Sequence, residues 1–297
     1  MQTRFLKTDA GIFKVVIKDD IYTDINTRIQ SVIGKLISVG GKNTCVFINS
    51  PNEESVALLV NVKTRDCLAG CEINEKTISG PNIITMVNLA FTIVREISPH
   101  IKTIKLEDRS AFTCYLDDGK SFGISLALYE LAFHQSTWYE RHFGATLLSE
   151  SAQDIYIKAK EGFDKPKPES FTFNNKRLNE LLTPIYLQTK TWKEFFSEIY
   201  KIDKRCQIMF PWYKFAISLA MNDISYESQI LQIDLYKKDK VNTVNYTEVK
   251  MGGSRKMKDN LLEHDGNSNS YTTIENEEIN DIPYTKTHLR RSKNKIY

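Results

Sequence analysis

The stretch SGPNIITMVNLAFTIVREISPH, residues 79–100, constrains this chain most. Ile83, Met86, Val87, Ala90, Val94 and Ile97 recur at helical spacing, which predicts one buried helix. Ser79, Gly80, Pro81 and Asn82 form a turn and helix start, and Ser98-Pro99 ends the helix because proline disfavours helical geometry in the residue before it. Strand patterns flank it. SVALLVNVK (55–63) is nearly continuous in apolar residues, so it reads as a central strand covered on both faces. IKTIKLEDRS (101–110) alternates Ile104 and Leu106 with lysines. A helix joining two strands points to parallel pairing with a right-handed crossover.

Strands also precede this unit. FKVVIKD (13–19) and NTCVFINS (43–50) have strand composition, and Ser50-Pro51-Asn52 joins the latter to 55–63 as a hairpin. Antiparallel strands ahead of a parallel pair make a mixed sheet in an α/β (α+β) chain. AFTCYL and SFGISLALYELAF are separated by an Asp117-Asp118-Gly119 turn, and the second is either a strand or a strand running into a helix. Three zones follow from composition: a mixed-sheet domain over 1–150, an aromatic-rich helical extension over 151–236, and a polar, flexible tail with a basic end over 237–297.

With 40 basic and 37 acidic residues, net charge +3, the chain demands neither a nucleic-acid nor a membrane partner. The start has scattered charges and no apolar signal region, no run approaches a membrane span, and the five cysteines are odd in number; an intracellular, cytoplasmic protein with free thiols is expected. Cys67 and Cys71 lack the second Cys/His pair that a zinc site needs, so no metal is expected.

In STWYERHFGATL (136–147), Trp138 and Phe143 read as core anchors and Gly144 as the residue that ends a helix in a left-handed conformation. His142 reads as helix-end surface, with a base as the alternative. Tyr139 is either an amphipathic core aromatic or a tyrosine facing a cleft. Glu107 and Asp108 sit at a strand end, where ligand crevices form in such sheets, but as neighbours they point to opposite faces.

The order of hairpin strands, helix, strand and a short tyrosine-bearing helix ending at Gly is similar to the acyl-CoA-dependent N-acetyltransferases of the GNAT superfamily. TWYERHFGA resembles that family's Tyr-Glu-x-x-Gly-Phe ending. The LEDRS strand followed by TWYERHF also looks like uncharacterised proteins of large DNA viruses. The GNAT resemblance covers roughly residues 43–147. It implies acetyl-CoA as cofactor, with the pantetheine between two splayed parallel strands and the pyrophosphate at the start of the 83–97 helix. Lys76, Ser79, Gly80, Asn82 and Ile83 then stand at the cofactor site, Tyr139 as the general acid, and Glu107 or Asp108 as a base. The stretch EKTISGPN departs from the family's phosphate loop: one glycine remains and Pro81 removes a backbone donor. The resemblance leaves three readings: an acetyltransferase-like enzyme, a non-enzymatic assembly or interaction protein such as a viral one, and a nucleic-acid-associated accessory protein. The aromatic zone 192–216 is a core or a protein-docking surface, and the basic end, 286–297, is a solvated terminus or a contact for an anionic partner.

Overall fold

In the computed structural model, the described residues are 1–24, 28–41, 44–62, 81–108, 110–115, 121–173, 176–202, 213–221 and 230–250. The strands are β1 (Gln2–Thr8), β2 (Gly11–Thr23), β3 (Gln30–Gly40), β4 (Thr44–Pro51), β5 (Val56–Val62), β6 (Thr103–Glu107), β7 (Ala111–Tyr115), β8 (Ser121–Ser125), β9 (Thr146–Leu147), β10 (Ile230–Asp234) and β11 (Thr247–Glu248). The helices among the described residues are α1 (Pro81–Ile97), α2 (Leu126–His134), α3 (Trp138–Phe143), α4 (Glu150–Glu161), α5 (Lys176–Gln188), α6 (Trp192–Tyr200) and α7 (Tyr213–Ala220). The class is α+β with a mixed sheet.

Two compact units divide the chain. One holds Met1–Leu106 and, among the described residues, returns from Asp234 onward; the other holds Glu107–Ile233. No unit edge falls near the compositional boundary at 150, whereas the edge between Ile233 and Asp234 lies within a few residues of the one near 237.

In the first unit the strands run in the order β11-β1-β2-β3-β4-β5-β6. Neighbours are antiparallel except β5 and β6, which are parallel. The parallel register covers three pairs, Val56↔Thr103 to Leu58↔Lys105, while β5 runs on to Val62 and β6 to Glu107. α1 packs against β3 and β4. Of its predicted apolar positions Ile83, Met86, Val87, Ala90 and Val94 are buried and Ile97 is part-exposed; Leu89, Phe91 and Ile93 are buried too, so the helix is enclosed on more than one side. β5 lies between β4 and β6 as expected for an interior strand, but Leu58 is 50% exposed, so its outward face is not covered there.

β3 has no clean sequence signature because Gly34 and Lys35 interrupt its apolar residues. The glycine is required by close approach: a Cβ at Gly34 would lie 2.6 Å from the Ser50 carbonyl oxygen on β4. Cys45 is buried and disulfide-bonded, which corrects the expectation of free thiols at this residue.

Residues 237–250 are not a tail. The Asn242 N–H donates to Asn88 Oδ1 (3.1 Å) and the Val244 N–H to Thr92 Oγ1 (3.1 Å), both on α1. Arg95 donates to the carbonyls of Leu235 (3.1 Å) and Asn242 (3.2 Å). The Tyr246 hydroxyl meets the Glu96 carboxylate at 2.7 Å, and β11 then pairs with β1. Asn88 and Thr92 are buried polar groups on the helix, and this returning segment satisfies them. Composition misjudged these residues because their fixing is polar. The remainder of the expected tail lies outside the described residues.

The second unit contains the β7–β8 hairpin, the β9–β10 antiparallel pair and helices α2 to α7. The ambiguous SFGISLALYELAF resolves as a strand running into a helix, with Ser125 capping α2. Trp192, Phe195, Phe196 and Ile199 share one face of α6 and are buried as core.

Candidate functional site

Each unit holds part of what the sequence singled out. In the first, Pro81 occupies the first position of α1, where its missing N–H costs no helical bond. The first turn carries no acidic residue, so no carboxylate of that turn offsets the positive end of the helix dipole. Asn82 is exposed, whereas Ile83 is 1% exposed and belongs to the core; only its backbone is available to a ligand. Lys76, Ser79 and Gly80 lie outside the described residues, as do Cys67 and Cys71.

In the second unit the chain brings Asp108 and Tyr139 together. Asp108 follows β6 and is 5% exposed, while Glu107, on the opposite face, is half-buried. Asp108 is therefore enclosed and does not face an open crevice at the strand end. Asp108 Oδ1 accepts from the Ser110 N–H (3.2 Å) and from the Ser110 hydroxyl. Burial pushes the carboxyl above the ordinary aspartate range, and the two Ser110 bonds pull the other way.

Tyr139 sits in α3, which is fixed at both ends. Thr137 Oγ1 accepts from the Glu140 N–H (3.2 Å), and Gly144 closes the helix at φ 62°. Across one side, Glu140 accepts from the Tyr156 hydroxyl (2.7 Å) and from Lys160 (2.6 Å) on α4. Trp138 and Phe143 are core anchors, as expected, and His142 is a part-exposed ring packed 5.1 Å from Trp138. The Tyr139 ring is fully buried, and its hydroxyl has no hydrogen-bond partner among the described residues. Burial, and secondarily the negative charge of Asp108, raise its hydroxyl well above the ordinary tyrosine range. A donor held this way costs free energy that an apolar isostere would not.

Two results are expected here. Tyr139→Phe removes the unsatisfied donor without changing shape and should raise stability by about 1 kcal/mol or more; a measured loss in the denaturant midpoint would mean the hydroxyl is satisfied. For Asp108, a folded pKa raised above the unfolded value gives a contribution that is fully present below the unfolded value of about 3.9 and is lost as pH rises through the folded one. Asp108→Asn should therefore gain on the parent as pH rises through that window. Unfolding both proteins across a pH series checks this, and parallel pH dependences would contradict it.

Ser110 was not singled out in the sequence, although Asp-x-Ser is a local pattern in which an acid accepts from a residue two positions on. Glu130 and Arg141, paired at 2.7 Å across α2 and α3, had no sequence signal because the two residues belong to different helices. An open cavity of about 500 Å³ lies beside α1, lined by Thr92, Arg95, Glu96, Tyr236 and Asn242 among others. The Arg95 guanidinium there is engaged in fixing residues 235–242. Among the described residues, no group of three or more metal-ligating side chains is present, and no helix is long and apolar enough to cross a membrane. No family model, curated protein or solved structure matches the chain.

Proposed function

We propose that this chain is an acyl-CoA-binding protein of GNAT-like architecture. The observation that carries the reading is the short parallel register of β5 and β6: three pairs, with both strands continuing past it. Two parallel strands whose register ends early leave a wedge, and a pantetheine chain is the ligand that the resemblance puts in such a wedge. α1 enters the chain between these two strands, and its acid-free first turn suits a pyrophosphate. Acetyl-CoA is the proposed ligand, with Asn82 and the backbone at Ile83 meeting the phosphates together with Lys76, Ser79 and Gly80.

Binding is better supported than transfer. A general acid has to reach the leaving thiolate, and the Tyr139 hydroxyl is at zero exposure. Asp108 as a base has the same difficulty, and of the three candidates only Glu107 is half-exposed. That burial favours a second reading, a non-enzymatic interaction protein that keeps the fold without acetyl transfer. An assembly role in a large DNA virus would be one case of it.

Thermal unfolding of the full chain with acetyl-CoA tests the first reading. A ligand at about a hundred times its Kd adds roughly 2.7 kcal/mol to the folded state, so Tm should rise by several degrees. An unchanged Tm at millimolar acetyl-CoA would leave the second reading.

A further inference from the structure

In the first unit, β2 and β3 outrun their neighbours. β1 pairs with β2 only as far as Ile17, and β4 pairs with β3 only from Gly34 onward. Past those points β2 and β3 pair with each other alone, from Asp20↔Gly34 through a bulge to Thr23↔Gln30. They form a two-stranded arm at one end of the sheet, and such a ribbon is marginal by itself. The arm carries Ile21, Tyr22, Ile29, Val32 and Ile33, each between 46% and 64% exposed. Half-exposed side chains of this size leave roughly 100 Å² each in water. Two arms together therefore present about 1,000 Å² of apolar surface, the size at which a specific interface begins.

The two edges of the arm differ. On the β3 side, the Asn52 N–H donates to the Ile33 carbonyl (2.9 Å) and Asn52 Nδ2 donates to the Val32 carbonyl (2.9 Å), so that edge is taken. On the β2 side, no described strand pairs beyond Ile17. The Asp24 N–H donates toward β3, to the Ile29 carbonyl (3.0 Å). Backbone groups alternate in direction along a strand, so those of Asp19, Ile21 and Thr23 face the open edge. Charged side chains ordinarily guard an edge against pairing. Two here are drawn inward. Asp19 forms an ion pair with Lys35 on β3. Asp20 accepts from Asn49 Nδ2 (3.2 Å) on β4, reaching over Gly34, which has no side chain. The other charges of this stretch are Lys18 and Asp24, one at each end, and Arg28 in the connecting loop.

We propose that the arm is a dimer contact, in which β2 pairs antiparallel with β2 of a second copy around a two-fold axis at Ile21. Ile21 then faces Ile21, Asp19 faces Thr23, and Lys18 comes beside Asp24 of the second copy at both ends. The hydrogen-bonded pairs of this register are the ones whose backbone groups point outward. The opposite signs of Lys18 and Asp24 select it, since a centre at Tyr22 would set Asp20 against Asp24. A two-fold contact closes on itself, and the covered β3 edge stops growth at two copies. The inference does not rest on acyl-CoA binding.

Sedimentation equilibrium of the full chain, with hydrogen exchange at rising protein concentration, tests it. A dimer is expected, with exchange at the Ile21 and Thr23 amides slowing about tenfold or more as it forms. Ile21→Asp sets two carboxylates face to face, and Ile21→Pro removes the outward N–H. Each should raise the dimer Kd about tenfold or more. Neither should unfold the monomer: Ile21 is exposed, and proline is tolerated at an edge position whose N–H faces solvent. Circular dichroism of dilute samples checks that. A chain that stays monomeric at hundreds of micromolar, a dimer that neither variant weakens, or a dimer whose Ile21 and Thr23 amides exchange as in the monomer would each overturn the proposal. A monomer that binds neutral phosphatidylcholine vesicles, and loses them on Ile21→Asp, would overturn it too and give the arm to a lipid surface.

Discussion

Replacing Phe195 with alanine is expected to destabilise the chain by about 3–5 kcal/mol. The ring is fully buried in α6 and lies 5.5 Å from Tyr186, 5.9 Å from Trp192, 6.1 Å from Phe173 and 5.6 Å from Phe196. Aromatic pairs at these separations add to the loss of buried area. The denaturant midpoint measures the effect. A loss below about 1 kcal/mol would mean the ring is on a surface, since surface changes rarely exceed about 0.5 kcal/mol. The result also bears on partners. Of the zone 192–216, Trp192, Phe195, Phe196 and Ile199 are internal and hold α6 in the unit, so they are not available to dock a protein. Phe215 is 60% exposed, and Phe210, Pro211 and Trp212 lie outside the described residues.

Arg141→Ala should be comparably costly. Arg141 Nη2 donates to Glu130 Oε2 at 2.7 Å, and the Glu130 side chain is 1% exposed while that of Arg141 is 26% exposed. Removing the guanidinium takes away a close counter-charge from an enclosed carboxylate, and breaking such a pair from one side costs about 3–5 kcal/mol. Glu130→Gln in the same background should recover part of the loss, because no charge then remains to be compensated. A double-mutant cycle reads the coupling. Additive single effects would show that the pair is not coupled, and would leave α3 held by its caps and by Glu140.

Much of the fold was legible where burial is periodic. The pattern from Ile83 to Ile97 gives α1, and 43–50 with 55–63 gives the β4–β5 hairpin. Gly144 was readable because a left-handed helix end selects glycine. Elements fixed by non-local contact were not readable. β3 is broken by Gly34, whose role depends on the Ser50 backbone one strand away. Residues 241–248 look like linker and are held by Asn88, Thr92 and Glu96 from about 150 positions earlier. For the candidate site, Tyr139 and Asp108 were named, but the sequence left two orientations open for Tyr139. Helical neighbours do not say whether a hydroxyl ends in a cleft or in a core. Exposure answers that: the hydroxyl is enclosed, and its neighbouring acid is enclosed as well. Lys76, Ser79 and Gly80 rest on the resemblance alone.

Calorimetric titration of the purified full-length chain with acetyl-CoA, beside a Gly80→Glu variant, tests acyl-CoA binding most directly. The account predicts micromolar binding that the variant loses, because a carboxylate at the start of α1 opposes the phosphates that the helix dipole attracts. No heat at millimolar acetyl-CoA, or equal binding by both proteins, would contradict it.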